Sequence, residues 1–200
     1  MHDPASIVNP HNEIELKHYA NDFYKFMIVR EPMERLASCY YDKIIINPAK
    51  SLILFRNAIK KAISKFQNIR RKFVTFSDFL QVIVIGKRGN ATNFGRHWLP
   101  FYILCTPCSI EYDYIGKFEN MSTFLDSIGA NTTLWKNKKM SLNKSTHFEM
   151  LIKSVSREIL VKTYQTIKLD YELFDYNFND ILKIANYSEL LPEEDIYIGQ

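Results

Sequence analysis

An α/β domain with a parallel sheet is the architecture this sequence predicts, and two observations carry the prediction. Two short strand-like runs, Lys25-Phe26-Met27-Ile28-Val29-Arg30 and Tyr112-Asp113-Tyr114-Ile115-Gly116-Lys117-Phe118, are separated and followed by long stretches of helical spacing. Strands that alternate with helices pair in parallel, because each helix carries the chain back across the sheet. The chain is also poor in breakers, with 6 Gly and 7 Pro in 200 residues, so most of it is expected to be regular. Apolar residues at 46% and charged residues at 24% are ordinary globular values that argue against disorder, and the length is that of one domain.

Taken in order, Asn12 to Tyr24 reads as a polar, helix-like lead-in. Lys25 to Arg30 shows no alternation, the pattern of a strand buried on both faces. Glu31-Pro32 breaks it, and Pro32 falls at the first position of a helix running to Asp42. Leu52 to Lys72 is a second helix, with Phe55, Ala58, Ile59, Ala62, Ile63, Phe66 and Ile69 on its apolar face. Phe73 to Leu80 reads as a short link, Ser77 capping a helix through Ile85, and Gly86 to Asn90 as a loop. A helix from Ser122 to Ile128 follows the second strand, and 131–143 is a polar loop. Thr146 to Tyr164 is the clearest amphipathic helix, extended to Asp175, and the acidic end from Pro192 to Gln200 is expected to fray. This divides the chain into a lead-in over 1–24, one domain over 25–180 and a tail over 181–200.

Charge is unevenly placed. Lys43, Lys50, Arg56, Lys60, Lys61, Lys65, Arg70, Arg71 and Lys72 stand in a stretch, 43–77, that holds no acid, while the whole chain is only +4. Such a run is either a solvated helix face or a surface for a polyanion. Phe55 and Phe66 lie on the apolar stripe instead of between the cations, which argues against a stacking platform for nucleic acid. Asn90, Asn120, Asn131, Asn143 and Asn186 begin Asn-X-Ser/Thr acceptors, five where average composition predicts roughly two. These sites have meaning only in the secretory pathway, yet the first residues lack a signal-peptide pattern and no apolar run approaches the roughly 20 residues of a membrane span. Either the protein is cytosolic or its anchor lies upstream. Cys39, Cys105 and Cys108 make an odd count, and no second ligand pair accompanies Cys105-Thr106-Pro107-Cys108 at zinc spacing, so no metal is expected.

The residues that carry chemistry are Val29-Arg30-Glu31-Pro32-Met33-Glu34-Arg35-Leu36-Ala37-Ser38-Cys39-Tyr40. Arg30 ends a strand, and ligands of open α/β sheets bind beyond the carboxyl ends of strands. A helix beginning at Pro32 would aim its free N–H groups and dipole at the same crevice. Ser38 follows Arg35 by three residues, on a neighbouring face. An arginine fork, a hydroxyl and a helix start together make a phosphate pocket. Surface ion pairing by Arg30 and Arg35 accounts for the same residues equally well.

This stretch resembles the 3′-phosphate-binding motif of the Golgi carbohydrate sulfotransferases, in particular the chondroitin and dermatan 4-O-sulfotransferase branch. Val74-Thr75-Phe76, His97-Trp98-Leu99-Pro100, Leu104-Cys105-Thr106-Pro107-Cys108, Tyr112 to Glu119, and then Tyr164, Asp170, Leu173-Phe174 and Tyr176 resemble further family blocks in the same order. The resemblance covers about Lys25 to Phe178. It implies a P-loop-NTPase-like fold and transfer of a sulfuryl group from 3′-phosphoadenosine 5′-phosphosulfate to a glycan hydroxyl. Arg30 and Ser38 would hold the 3′-phosphate, with Arg35 supporting them. The acceptor would be a glycosaminoglycan gripped by Lys60, Lys61, Lys65, Arg70, Arg71 and Lys72. Location would be the Golgi lumen, through an anchor absent from this chain. Nothing before Lys25 fits the family's first strand and 5′-phosphosulfate loop, so both are expected to be missing, through truncation or degeneration. A base is needed near the acceptor hydroxyl; His2 is the candidate, with an unengaged terminal histidine as the alternative. His97, beside Trp98, suits a cleft role or a packed one, whereas His11, His18 and His147 read as surface residues. For Cys105 and Cys108 the resemblance implies structural disulfides, which can reach cysteines elsewhere in a longer chain; Cys39 reads as a buried thiol.

Overall fold

The computed structural model describes residues 12–46, 50–67, 72–86, 97–127 and 144–191. In chain order it contains α1 (Glu13–Asp22), β1 (Phe26–Val29), α2 (Pro32–Tyr40), a π-helical segment (Tyr41–Ile46), α3 (Lys50–Gln67), α4 (Phe76–Ile85) and α5 (Phe101–Leu104). These are followed by β2 (Tyr114–Lys117), a 3-10 turn (Phe118–Asn120), α6 (Met121–Ser127), α7 (Lys144–Lys153), α8 (Arg157–Leu173) and α9 (Phe178–Ile184). The expected α/β class with a parallel sheet holds: β1 and β2 pair in parallel, Phe26 opposite Tyr114 and Val29 opposite Lys117. Among the described residues the sheet has these two strands, so the molecule is mostly helical.

β1 differs from expectation in being buried on one face. Met27 and Val29 are buried against Phe174, Phe101, Tyr112 and Tyr176, whereas Phe26 is 48% exposed. Among the described residues the second face is covered by α6, through Phe124, which stacks on Tyr114 at 4.5 Å and meets Phe26 at 5.0 Å. A seven-residue helix is too short to shield a whole sheet face. Gly116 lies on this face. A Cβ there would collide with the Tyr114 ring and stand 3.0 Å from Ile28 Cδ1. Gly116→Ala is therefore expected to destabilise the chain by about 1–3 kcal/mol through overpacking, read by urea unfolding; a loss within about 0.5 kcal/mol would mean that the aromatic stack yields freely.

The main core lies among α2, α3, α4, α7, α8 and α9, with Met33, Leu36, Phe76, Phe79, Leu80, Ile152, Leu160 and Leu182 fully enclosed. Tyr40 packs its ring on Phe76 and Phe79 and donates its hydroxyl proton to the Val74 carbonyl at 2.9 Å. The cap of α4 is Thr75, two residues earlier than the expected Ser77. Thr75 Oγ1 accepts from the Asp78 N–H and the Asp78 carboxylate accepts from the Thr75 N–H, a closed capping box. The long helix expected from Thr146 to Asp175 is two helices. Ser154 turns its hydroxyl onto the Leu151 carbonyl at 2.6 Å and Ser156 takes up extended backbone as the cap of α8, so the two serines interrupt the ladder. α9 buries Ile181 and Leu182, and its C-cap Ala185 is buried too, so packing reaches beyond position 180. The chain's expected tail from 192 onward lies outside the described residues, as does 131–143. No helix among the described residues is long and apolar enough to cross a membrane.

Candidate functional site

Parallel pairing brings the ends of β1 and β2 together, and the residues that leave them form the site. Arg30 follows β1 and Phe118 follows β2, and the Arg30 guanidinium lies over the Phe118 ring, 5.2 Å from its centroid. Arg30 donates from Nε and Nη2 to one carboxylate oxygen of Glu34, at 3.0 and 2.8 Å. Ser38, one turn beyond Glu34 on the same face of α2, is partly exposed. Glu34 and Ser38 thus stand one turn apart on α2, and Arg30, just before the helix, is joined to Glu34.

The helix start is not open to an anion, as the spacing had suggested. Glu31 caps it, accepting the Glu34 N–H at 2.6 Å. A capping carboxylate three residues away is always at hand, so it satisfies these donors locally. The Tyr171 hydroxyl donates to the other Glu31 oxygen at 2.5 Å. Burial raises the Glu31 pKa from 4.5 to about 7, against the lowering effect of Tyr171 and the Glu34 and Met33 amides. Glu119 ties the two strand ends, accepting the Glu31 N–H at 3.4 Å and the Tyr176 hydroxyl at 3.1 Å. Burial and the Glu119 carboxylate drive the Tyr176 phenol far up. Lys117 donates to the Asp175 carbonyl at 2.5 Å and lies over the Tyr176 ring at 4.5 Å.

Arg35 has different partners from Arg30. It donates to the Leu99 carbonyl at 2.6 Å, lies 4.6 Å over the Phe101 ring and stands 4.0 Å from the buried Asp170 carboxylate. Asp170 in turn accepts the Phe101 and Tyr102 N–H groups, at 2.7 and 3.0 Å. Arg35 and Asp170 therefore clamp the His97 to Tyr102 segment onto α2 and α8, and Arg35 serves the site as a strut. His97 is exposed; desolvation and the Lys43 ammonium lower its pKa, against Asp42. His18 is exposed beside Asp22, but His147 is half-buried against the Tyr41 ring at 4.8 Å, not on the surface. His2 and His11 lie outside the described residues.

Cys39 is buried, which pushes its thiol to about 11. Cys105 and Cys108 are both free in this chain, Cys105 half-buried against the cluster of Met27, Val29 and Phe174 and Cys108 exposed. Lys61, Lys65 and Lys72 are exposed and Lys60 is half-exposed, while Ile59 and Ile63 of α3 are buried. Arg70 and Arg71 lie outside the described residues, as do Asn90, Asn131 and Asn143, whereas Asn120 and Asn186 are exposed. Among the described residues no group of three or more His, Cys, Asp or Glu side chains is placed to hold a metal ion.

Glu31, Glu119, Asp170 and Tyr171 were not singled out as site residues from sequence. Glu31 sits inside the motif itself, and Glu119 and Asp170 lie in blocks that carry the resemblance; their tertiary partners, 57 to 140 positions away, gave no local signal.

Arg30 thus leaves β1 just before a capped helix that bears Ser38, the strand-turn-helix order of the motif. The chain belongs to the sulfotransferase family, whose sequence model matches residues 4–177. It is 31% identical to carbohydrate sulfotransferase 14 of Danio rerio over 172 residues, 81% of this chain and 46% of the relative. It is 28% identical to carbohydrate sulfotransferase 11 of Mus musculus over 193 residues, 88% of this chain and 53% of the relative. Carbohydrate sulfotransferase 10 of Gallus gallus is 27% identical over 205 residues, 90% of this chain and 57% of the relative. The chain spans about half the length of these relatives. No solved structure matches it significantly.

Proposed function

We propose that this chain carries the 3′-phosphate half of a carbohydrate O-sulfotransferase. The full reaction would move a sulfuryl group from 3′-phosphoadenosine 5′-phosphosulfate to a glycan hydroxyl, in a glycosaminoglycan such as chondroitin or dermatan. The observation that carries this reading is Arg30, held at the end of β1 between Glu34 and the Phe118 ring, with Ser38 one turn beyond Glu34 on α2. Arg30 and Ser38 would take the 3′-phosphate through charge-assisted hydrogen bonds, and Arg35 would act behind them by holding the 97–102 wall. Sulfuryl transfer is an in-line displacement that depends on positioning and charge stabilisation, as phosphoryl transfer does. A base must take the acceptor proton, and His2 is the residue proposed for it. The cations of α3, Lys60, Lys61 and Lys65, with Arg70, Arg71 and Lys72 beyond it, would hold the acceptor polyanion. The Golgi lumen is the compartment that fits this substrate class and the sequons at Asn120 and Asn186.

Calorimetric titration with 3′-phosphoadenosine 5′-phosphate tests the donor site. Binding by the unaltered chain is expected, weakened about tenfold or more in Arg30→Ala, since hydrogen bonds to charged groups contribute about 1.5–3 kcal/mol. A folded chain that ignores the nucleotide would overturn the reading and leave the basic α3 as a polyanion-binding surface.

A further inference from the structure

An arginine at a strand end is a good phosphate ligand only when its plane is held, because its long side chain otherwise loses much rotamer freedom on binding. Arg30 is held in two directions. Glu34 takes the Nε–Nη2 edge of the guanidinium with a single oxygen, at 3.0 and 2.8 Å. Phe118 supports its face at 5.2 Å. Both contacts are themselves fixed. Glu34 is in the first turn of α2, whose start is anchored by Glu31. Phe118 leaves β2 directly after Lys117, which is in register with Val29, and Glu119 bonds the Glu31 N–H. With its edge and face so placed, Arg30 turns Nη1 and the outer hydrogen of Nη2 away from Glu34.

Two roles for Glu34 are chemically distinct. A competitor would occupy the arginine in place of the phosphate, and its removal would strengthen binding. An orienting group would leave one edge of the fork for the ligand, and its removal would weaken binding despite the loss of a repelling charge. We infer that Glu34 and Phe118 are positioning residues for Arg30, setting its guanidinium so that the Nη1 edge meets the donor's 3′-phosphate. The side-edge attachment, on one oxygen, favours orientation: a competitor matched to the fork would use both of its oxygens in a bidentate pair. This inference rests on the donor-site reading above.

The test compares two nucleotides on the full chain, 3′-phosphoadenosine 5′-phosphate and adenosine 5′-monophosphate, by calorimetry. Their affinity ratio isolates the 3′-phosphate, and a merely structural contact would move both affinities together. In Glu34→Ala the ratio is expected to fall about tenfold, with the monophosphate affinity and the melting temperature near those of the parent. Glu34→Gln keeps an oxygen for the Arg30 edge and is expected to retain most of the ratio. Phe118→Leu is expected to lose about threefold, restored in Phe118→Tyr. A ratio that stays the same or rises in Glu34→Ala, with the parent discriminating, overturns this inference alone. A parent that binds both nucleotides equally overturns the donor-site reading and this inference with it.

Discussion

Asp170→Ala is expected to lower the stability of the chain by about 3–5 kcal/mol, the usual cost of removing one partner of a buried charged cluster. Asp170 is fully buried, and its two oxygens accept the first two N–H groups of α5, which Pro100 leaves without a side-chain cap. Alanine would strand both amides and leave the Arg35 guanidinium without its counter-charge, 4.0 Å away. Burial raises the Asp170 pKa, and the two amides and Arg35 oppose that rise. In a chain of this size the loss corresponds to roughly 10 °C in melting temperature. Asp170→Asn retains an acceptor but not the charge and is expected to cost about half as much. Urea unfolding with Arg35→Met and the double variant measures the coupling, which is expected to exceed about 1 kcal/mol because the two groups share one buried site. Additive single effects, or a loss below about 1 kcal/mol in Asp170→Ala, would show that α5 is held by its apolar contacts alone.

Glu31→Gln is expected to flatten the pH dependence of stability between pH 4.5 and 7. The Glu31 pKa is raised in the folded chain, from 4.5 to about 7, so the native state binds more protons than the unfolded state across that window. Stability then falls as pH rises through it, by up to about 3 kcal/mol, and no further loss from this group follows above it. Glutamine keeps an oxygen for the helix start and an amide for the Tyr171 hydroxyl, which can rotate to accept, while carrying no charge at any pH. Against the parent, the variant is expected to be about equally stable near pH 4.5 and more stable by about 2–3 kcal/mol near pH 7.5. Unfolding curves at the two pH values decide it. A difference that does not change with pH would place the proton elsewhere. The rise has its origin in the fold, which buries a carboxylate that the helix cap needs and sets it against the Tyr171 hydroxyl, 140 positions away in the chain.

Much of the local structure was legible because its causes are local. Asn12 caps α1, Pro32 opens α2, and the apolar spacing of Ile59 and Ile63 turns one face of α3 inward. The misplaced cap of α4 was also readable, since Thr75-x-x-Asp78 is the spacing of a capping box. The break between α7 and α8 had weaker signals, two serines around Val155 in a pattern whose apolar spacing continues across them.

The candidate site divides in the same way. Arg30 falls at a strand end and Ser38 on the helix that follows, so a strand, a proline break and a helix period suffice to place both, and those signals are local to the motif. What the charged groups meet beyond their own helix turn depends on tertiary packing. Arg35 turns to Leu99 and Asp170, Arg30 settles over Phe118, and Glu31 is closed in by Tyr171. Side-chain pattern reports which face of an element is apolar, but the partner of a buried charge comes from elements far apart in the chain. Its choice follows from which remote donors and acceptors the packed helices bring within reach, because a buried charge left unpaired would cost several kcal/mol.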